Sequence, residues 1–97
     1  MNEVSIMPTC TLYSTERFSG SHRHEVFYGS GKRQKSIDLG LFVFLTPEMH
    51  NLSDKGVHFD KGFDLTLKQI GQITAMERFG WSKEKFIKEF GKNYLED

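Results

Sequence analysis

Three histidines are the residues of this chain best suited to chemistry: His24, His50 and His58. Neutral imidazole nitrogens are common ligands of Zn²⁺ and of other divalent transition metals. The spacings between the three match no compact zinc motif, so spacing alone leaves two interpretations open. Either the imidazoles converge on one ion, or they are unrelated polar residues, which is the commoner situation for histidines in a small domain.

Two neighbours of His24 could assist it. Glu25 follows it on a predicted strand, so the two side chains should point to opposite faces of a regular strand. If the strand bends or bulges, Glu25 could activate water while His24 binds metal. Otherwise Glu25 is a solvated carboxylate. His22 shares the parity of His24 and could assist it, but we favour an exposed position.

A cluster of cations follows the first histidines. Lys32, Arg33 and Lys35 stand in a segment predicted to be a loop, where they could contact nucleic-acid phosphates without reading the bases. The alternative is a solvated turn. Basic and acidic residues balance at 13 each, so the chain lacks the overall positive charge of a typical nucleic-acid binder. Any contact with DNA is therefore expected to come from a local patch.

The elements that must position these residues follow from local patterns. Alternating β-favouring residues predict a strand at 24–28, and a polar segment with glycines predicts a loop at 29–36. A dense apolar run predicts a second strand at 37–45, buried on both faces from residue 41. Thr46, followed by proline and glutamate, has the signature of a helix N-cap. A short helix is thus predicted to carry His50, and a short strand is predicted earlier, at 10–13.

Two further helices are predicted from residue 60 onwards. Strands followed by helices are the order of a small α+β domain. Gly71 weakens the first by roughly 1 kcal/mol relative to alanine, so we expect a close packing contact there. Gly80 and Ser82 are predicted to end this helix and to cap the next, which closes at Gly91. Recurrence every three or four positions predicts the inward-facing side chains. They are Phe63, Leu67, Ile70, Ile73 or Thr74, Phe86, Ile87 and Phe90, with Leu65 and Met76 widening the stripe.

Length and composition set the remaining expectations. A chain of 97 residues fits one domain, and its nine phenylalanines can build a core from few positions. The single cysteine, Cys10, excludes an intrachain disulfide and suggests a reducing compartment. We find neither an apolar run long enough to cross a bilayer nor a basic-then-apolar leader, so we expect no membrane partner and a cytoplasmic location.

Four segments together resemble a known family. "RHEVFYG", "SIDLGLFVFLTPEMHN", "KGVHFDK" and "FIKEFGKNYL" are similar to small HNH-endonuclease-like proteins of phages and prophages of low-GC Gram-positive bacteria. The resemblance runs from Cys10 to Leu95. It implies one HNH-like domain over residues 1–97, encoded by a phage or prophage of a bacterial host. Within it, residues 1–21 form an arm, 22–59 a ββα-metal core of hairpin and short helix, and 60–97 a helical part.

The resemblance also implies a reaction, the hydrolysis of DNA phosphodiester bonds. His24, His50 and His58 would hold one divalent ion, Zn²⁺, Mg²⁺, Mn²⁺ or Ni²⁺, and Glu25 stands where the family has its general base. The base-activated water would attack phosphorus while the metal stabilises charge on the leaving oxygen. DNA is the implied partner, with phosphate contacts at Lys32, Arg33 and Lys35.

The chain departs from the family pattern in three ways. Glutamate replaces the usual histidine base, and no residue clearly matches the middle asparagine of the motif. Many relatives also carry a zinc site of two C-x-x-C pairs, of which only Cys10 is present here. Tyr13, Thr46 and Met49 occupy the other three places, so we expect packing instead of zinc. Two alternatives therefore stand beside a nuclease or nickase: a regulator or inhibitor that binds DNA or a protein without cutting, and a metal site that only braces the core.

Overall fold

The computed structural model describes residues 4–52 and 61–95, with backbone alone at 51 and 52. Its elements form a two-stranded antiparallel sheet followed by a long and a short helix, which confirms the predicted α+β class. No helix among these residues is both long and apolar enough to cross a membrane. In chain order the elements are β1 (His22–Glu25), α1 (Lys32–Leu39), β2 (Phe42–Leu45), a π-helical turn (Glu48–Leu52), α2 (Lys61–Phe79) and α3 (Lys83–Phe90).

The register of the sheet decides which side chains share a face. His22 lies opposite Leu45, and His24 lies opposite Val43. Residues that are directly opposite in an antiparallel pair point to the same side, and neighbours along a strand point to opposite sides. One face therefore carries His22, His24, Val43 and Leu45, and we call it the histidine face. The other, the arginine face, carries Arg23, Glu25, Phe42 and Phe44.

The connection between the strands is a helix, which contradicts the loop predicted at 29–36 and the start of the second strand at residue 37. Lysine, arginine and glutamine are good helix formers, although their polarity resembles that of a loop. Helix α1 buries only two side chains, Ser36 and Ile37, and so shows no apolar period. It ends at Gly40, whose left-handed backbone (φ 80°) lets its N–H reach the last carbonyls.

A buried serine fixes α1 to the end of β1. The Ser36 hydroxyl accepts a hydrogen bond from the Phe27 N–H (3.0 Å) and donates one to the Phe27 carbonyl (2.8 Å). Both backbone groups lie where water cannot replace the serine, so each needs this partner. Strand β1 consequently stops at Glu25, three residues earlier than the end predicted at residue 28, and the chain turns into the core.

The turn after β2 begins as predicted. The Thr46 hydroxyl accepts a hydrogen bond from the Met49 N–H (3.1 Å), and the Thr46 carbonyl accepts one from the His50 N–H (3.0 Å). Residues Glu48–Leu52 form one π-helical turn. This arrangement confirms the N-cap and places His50 directly after the sheet.

The two C-terminal helices match most of their predicted limits. Ser82 caps α3 by accepting a hydrogen bond from the Lys85 N–H, and Gly91 closes it with a positive φ of 85°. Phe86 and Phe90 are buried as predicted, but Leu65 (44%) and Ile87 (37%) are exposed, so the inward positions predicted for these two were wrong. Of the alternatives Ile73 and Thr74, Ile73 is 46% exposed and Thr74 is half-buried. Ile87 follows Phe86 by one position, about 100° around the helix, and lies outside the narrow stripe that contacts the core.

Aromatic rings form the centre of the core. The ring centroid of Phe27 lies 4.5 Å from that of Phe90, 5.3 Å from that of Phe86 and 5.6 Å from that of Tyr94. Gly71 of α2 faces the same ring, because a Cβ built on this glycine would lie 3.0 Å from Phe27 and from Val26. The close contact expected at Gly71 is therefore confirmed.

The N-terminal arm lies along β2. Ser14 forms an isolated antiparallel bridge with Phe44, and the Ser5 hydroxyl donates a hydrogen bond to the Phe42 carbonyl (2.6 Å). The strand predicted at 10–13 is thus replaced by a single bridging residue just after it. Tyr13 and Met49 are partly buried and pack against the core.

A buried glutamine holds the end of the chain. Gln72 is fully buried, and its amide donates to Asn93 Oδ1 and accepts from the Tyr94 N–H, both at 2.8 Å. We expect Gln72→Leu to lower the free energy of unfolding by about 2 kcal/mol, because both partners lose a buried hydrogen bond. Urea denaturation measures it. The same substitution at the exposed Gln34 is the control, and equal effects at the two sites would contradict the role of Gln72.

Candidate metal centre

The structure brings together two of the three predicted ligands. His24 is 1% exposed on β1, His50 is half-buried on the π-helical turn, and their ring centroids lie 5.3 Å apart. The cause is local, because the turn starts immediately after β2 and folds back over the histidine face. The third predicted ligand, His58, lies outside the described residues.

His22 is a further imidazole at the same place. It is exposed, as favoured from the sequence, but its Nδ1 atom lies 3.3 Å from Nδ1 of His50. Two imidazole nitrogens bound to one tetrahedral Zn²⁺ are roughly 3.3 Å apart, given Zn–N bonds of about 2.0–2.1 Å. A hydrogen bond between two neutral rings would also explain this distance. The parity that His22 shares with His24 was the signal in the sequence.

His50 contacts both of the other described histidines, His24 and His22. Within residues 4–52 and 61–95, no group of three or more histidine, cysteine, aspartate or glutamate side chains is arranged to hold a metal ion. The pairs run from the buried His24 through His50 to the exposed His22, so the centre opens to solvent at one end. Two imidazoles can bind a transition metal, which then completes its coordination with other ligands.

Glu25 points away from these rings. Its carboxylate lies 3.1 Å from Nε of Arg23 and 3.6 Å from Nε of Arg33, and the residue is only 8% exposed. Strand β1 is regular at this point, so Glu25 belongs to the arginine face. Charged hydrogen bonds compensate a buried carboxylate, and removing such partners is costly. For Glu25 to act as a base on the histidine face, it would first have to leave both guanidinium groups.

Two of the three predicted phosphate contacts, Arg33 and Lys35, have partners within the fold. Arg33 pairs with Glu25, and Lys35 donates to the Glu89 carbonyl (2.8 Å) and contacts its carboxylate (3.3 Å). Hydrogen bonds from Lys85 and Lys35 lower the pKa of Glu89. Lys32 lies near the C-terminus of α3, since a Cβ built on its capping residue, Gly91, would be 3.6 Å from the Lys32 Nζ atom. Cations at a helix C-terminus interact favourably with the helix dipole.

Sequence reasoning missed a second group of polar residues beside His24. The ring of Tyr28 lies 5.7 Å from that of His24, and its hydroxyl donates to Asp64 of α2 (2.9 Å). Burial, and then the hydrogen bond to Asp64, raise the pKa of Tyr28. Tyr28 follows the predicted site in sequence, but its partner is 36 residues away, so no local signal could connect them.

Cys10 and Tyr13 lie close together in the N-terminal arm. Burial, and the nearby Cys10, raise the pKa of Tyr13 to about 12, so its hydroxyl stays neutral. Cys10 is a free, half-buried thiol.

In comparisons with family models, with curated proteins and with solved structures, the chain matched nothing.

Proposed function

We propose that this protein is a metal-dependent DNA endonuclease or nickase of the HNH type. The observation that carries the proposal is the approach of the His24 and His50 rings, 5.3 Å apart between β1 and the π-helical turn after β2. This is the pair of elements from which the family resemblance expects metal ligands. The same proposal includes a cytoplasmic location in a bacterial host, a phage-encoded origin and DNA as the partner.

The donor set bears on the choice of metal. Imidazole nitrogen suits Zn²⁺, Ni²⁺ and other transition ions, whereas Mg²⁺ prefers oxygen ligands. Among Zn²⁺, Mg²⁺, Mn²⁺ and Ni²⁺, the described residues therefore fit the nitrogen-binding ions best. When bound, the ion would stabilise charge on the leaving oxygen of the phosphodiester. His24 and His50 would hold it, with His22 within reach of the same ion and His58 as the ligand expected from the sequence.

A second candidate is a related protein that binds DNA or a protein partner without cutting. The specific observation in its favour is the pairing of Glu25 with Arg23 and Arg33. A carboxylate held by two cations on the opposite face of the sheet joins β1 to α1. In this role Glu25 is structural, and the metal centre would brace the fold.

Plasmid nicking separates the candidates. Supercoiled DNA is incubated with the protein and Mg²⁺, Mn²⁺, Ni²⁺ or Zn²⁺. We expect nicking that His24→Ala and His50→Ala abolish, because each removes a ligand. If Glu25 is the base, Glu25→Gln should lower the rate at least about 100-fold, since a general base typically contributes 10²–10⁴-fold. The exposed Glu77→Gln is the matched carboxylate control.

Metal binding is measured in parallel by the melting temperature. An ion present at about 100 times its dissociation constant raises the free energy of unfolding by about 2.7 kcal/mol, and His24→Ala should lose this increase. Absence of nicking with every ion would overturn the nuclease. Stabilisation by metal without nicking would support the second candidate.

A further inference from the structure

A cleft lies next to the candidate metal centre, on the side of Tyr28. It encloses about 370 Å³ between the start of α2 and the segment after α3. We call it the tyrosine–lysine cleft. Its lining residues are Tyr28, Lys61, Asp64, Leu65, Lys68, Lys92 and Tyr94.

The floor of the cleft is built around one lysine. Lys68 Nζ donates to Asp64 (2.8 Å) and lies 4.3 Å from the ring centroid of Tyr28 and 5.6 Å from that of Tyr94. Burial lowers the pKa of Lys68, but the hydrogen bond and charge of Asp64, with the two tyrosines, more than offset this, so its pKa is raised overall. The lysine therefore stays charged, and it lies beside both rings.

The rim of the cleft adds two exposed cations, Lys61 and Lys92. The Nζ atom of Lys92 lies 5.5 Å from the ring centroid of Tyr94. Three lysines thus stand against one aspartate, in a chain whose formal net charge is zero. The positive charge of this surface is local, which is what a chain with balanced overall charge requires for binding a polyanion.

We propose that the tyrosine–lysine cleft binds an unpaired nucleic-acid strand. Aromatic rings on which bases stack, together with cations that follow the phosphates, are the combination that single-strand sites use. Tyr28 connects the cleft to the metal centre, because its ring lies 5.7 Å from that of His24. A strand stacked on Tyr28 would therefore lie beside the candidate metal centre. The inference rests on the proposed function at one point, the choice of nucleic acid rather than another polyanion as the ligand of the cleft.

Fluorescence anisotropy with a labelled single-stranded DNA of about 15 nucleotides tests the cleft. EDTA is present throughout, so binding is read without metal or hydrolysis. We expect Lys61→Gln with Lys92→Gln to weaken binding at least about tenfold at about 50 mM salt. The slope of log K against log salt should become shallower by about 1.4, since each phosphate contact contributes about 0.7 for single strands.

The matched control removes two exposed cations elsewhere, Arg78→Gln with Lys88→Gln. It changes the net charge equally and should leave both quantities nearly unchanged. Tyr28→Phe keeps the ring and should bind normally, whereas Tyr28→Leu should bind about fivefold or more weakly because stacking is lost. Melting temperatures verify that each variant is folded.

Several results would overturn the proposal. These are no binding by the unmodified protein, equal losses in the two double variants, equal affinity for a duplex of the same length, and displacement of the strand by inorganic phosphate alone. The last result would indicate a simple anion site.

The test of the cleft is separate from the test of the nuclease. Strand binding without any nicking would overturn the hydrolase and support the cleft, whereas nicking with unchanged binding in Lys61→Gln with Lys92→Gln would overturn the cleft alone.

Discussion

Phe27→Ala is expected to lower the free energy of unfolding by about 4 kcal/mol, because truncation of a buried phenylalanine typically costs 3–5 kcal/mol. The ring is 1% exposed and contacts Phe86, Phe90 and Tyr94. These partners belong to α3 and the segment after it. The cavity left by the substitution would therefore weaken the packing of this C-terminal part against the sheet. Domains of this size are typically stable by only 5–15 kcal/mol.

Urea denaturation followed by the fluorescence of the single tryptophan, Trp81, measures this loss. Trp81 is partly buried against the core and should report its disruption. Phe18→Ala is the matched control, because Phe18 is 40% exposed and should cost less than about 1 kcal/mol. A loss at Phe27 no larger than that at Phe18 would show that the aromatic cluster does not stabilise the fold as described.

The second large effect is expected at Gly71, where Gly71→Leu should destabilise the protein by about 2 kcal/mol. A Cβ alone would already lie 3.0 Å from Val26 and Phe27, and leucine adds three more carbons in the same direction. Overpacking of this kind costs about 1–3 kcal/mol or more, and it opposes a gain of about 1 kcal/mol in helix propensity.

The same change at Gly62, an exposed glycine of the same helix, is the control. There leucine should keep the benefit of helix propensity without the clash, so the two variants should differ in sign. If Gly71→Leu is as stable as Gly62→Leu, then Val26 and Phe27 can move apart at little cost. A shift of Val26, which follows β1 directly and lies two positions after His24, would also displace His24, so metal binding at the candidate centre should weaken together with stability.

Signals confined to a few neighbouring residues predicted much of the fold. Ser82 and Gly91 limit α3 through bonds to residues three or four positions away, and Thr46 caps the turn in the same way. Helix α1 could not be predicted like this. Its polar residues suggest a loop, and it is held by contacts from distant parts of the sequence, such as the bond from Lys35 to Glu89, 54 positions later.

The same distinction holds for the site. The order of strand and helix allowed His24 and His50 to approach each other, and the family resemblance implied that they do. The environment of Glu25 was not predictable, because one of its two partners, Arg33, lies on the unforeseen helix α1. The tyrosine–lysine cleft depends on pairs more than twenty residues apart, which composition and spacing do not reveal.

The arm that runs beside β2 has a consequence for solubility. The run Leu41–Leu45 is entirely buried, rich in β-favouring residues and free of charge, and such segments add to identical strands of other molecules when an edge is open. One edge of β2 pairs with β1, and Ser14 occupies the other at Phe44. With Ser5 bound at Phe42, the arm protects this strand from edge-to-edge association.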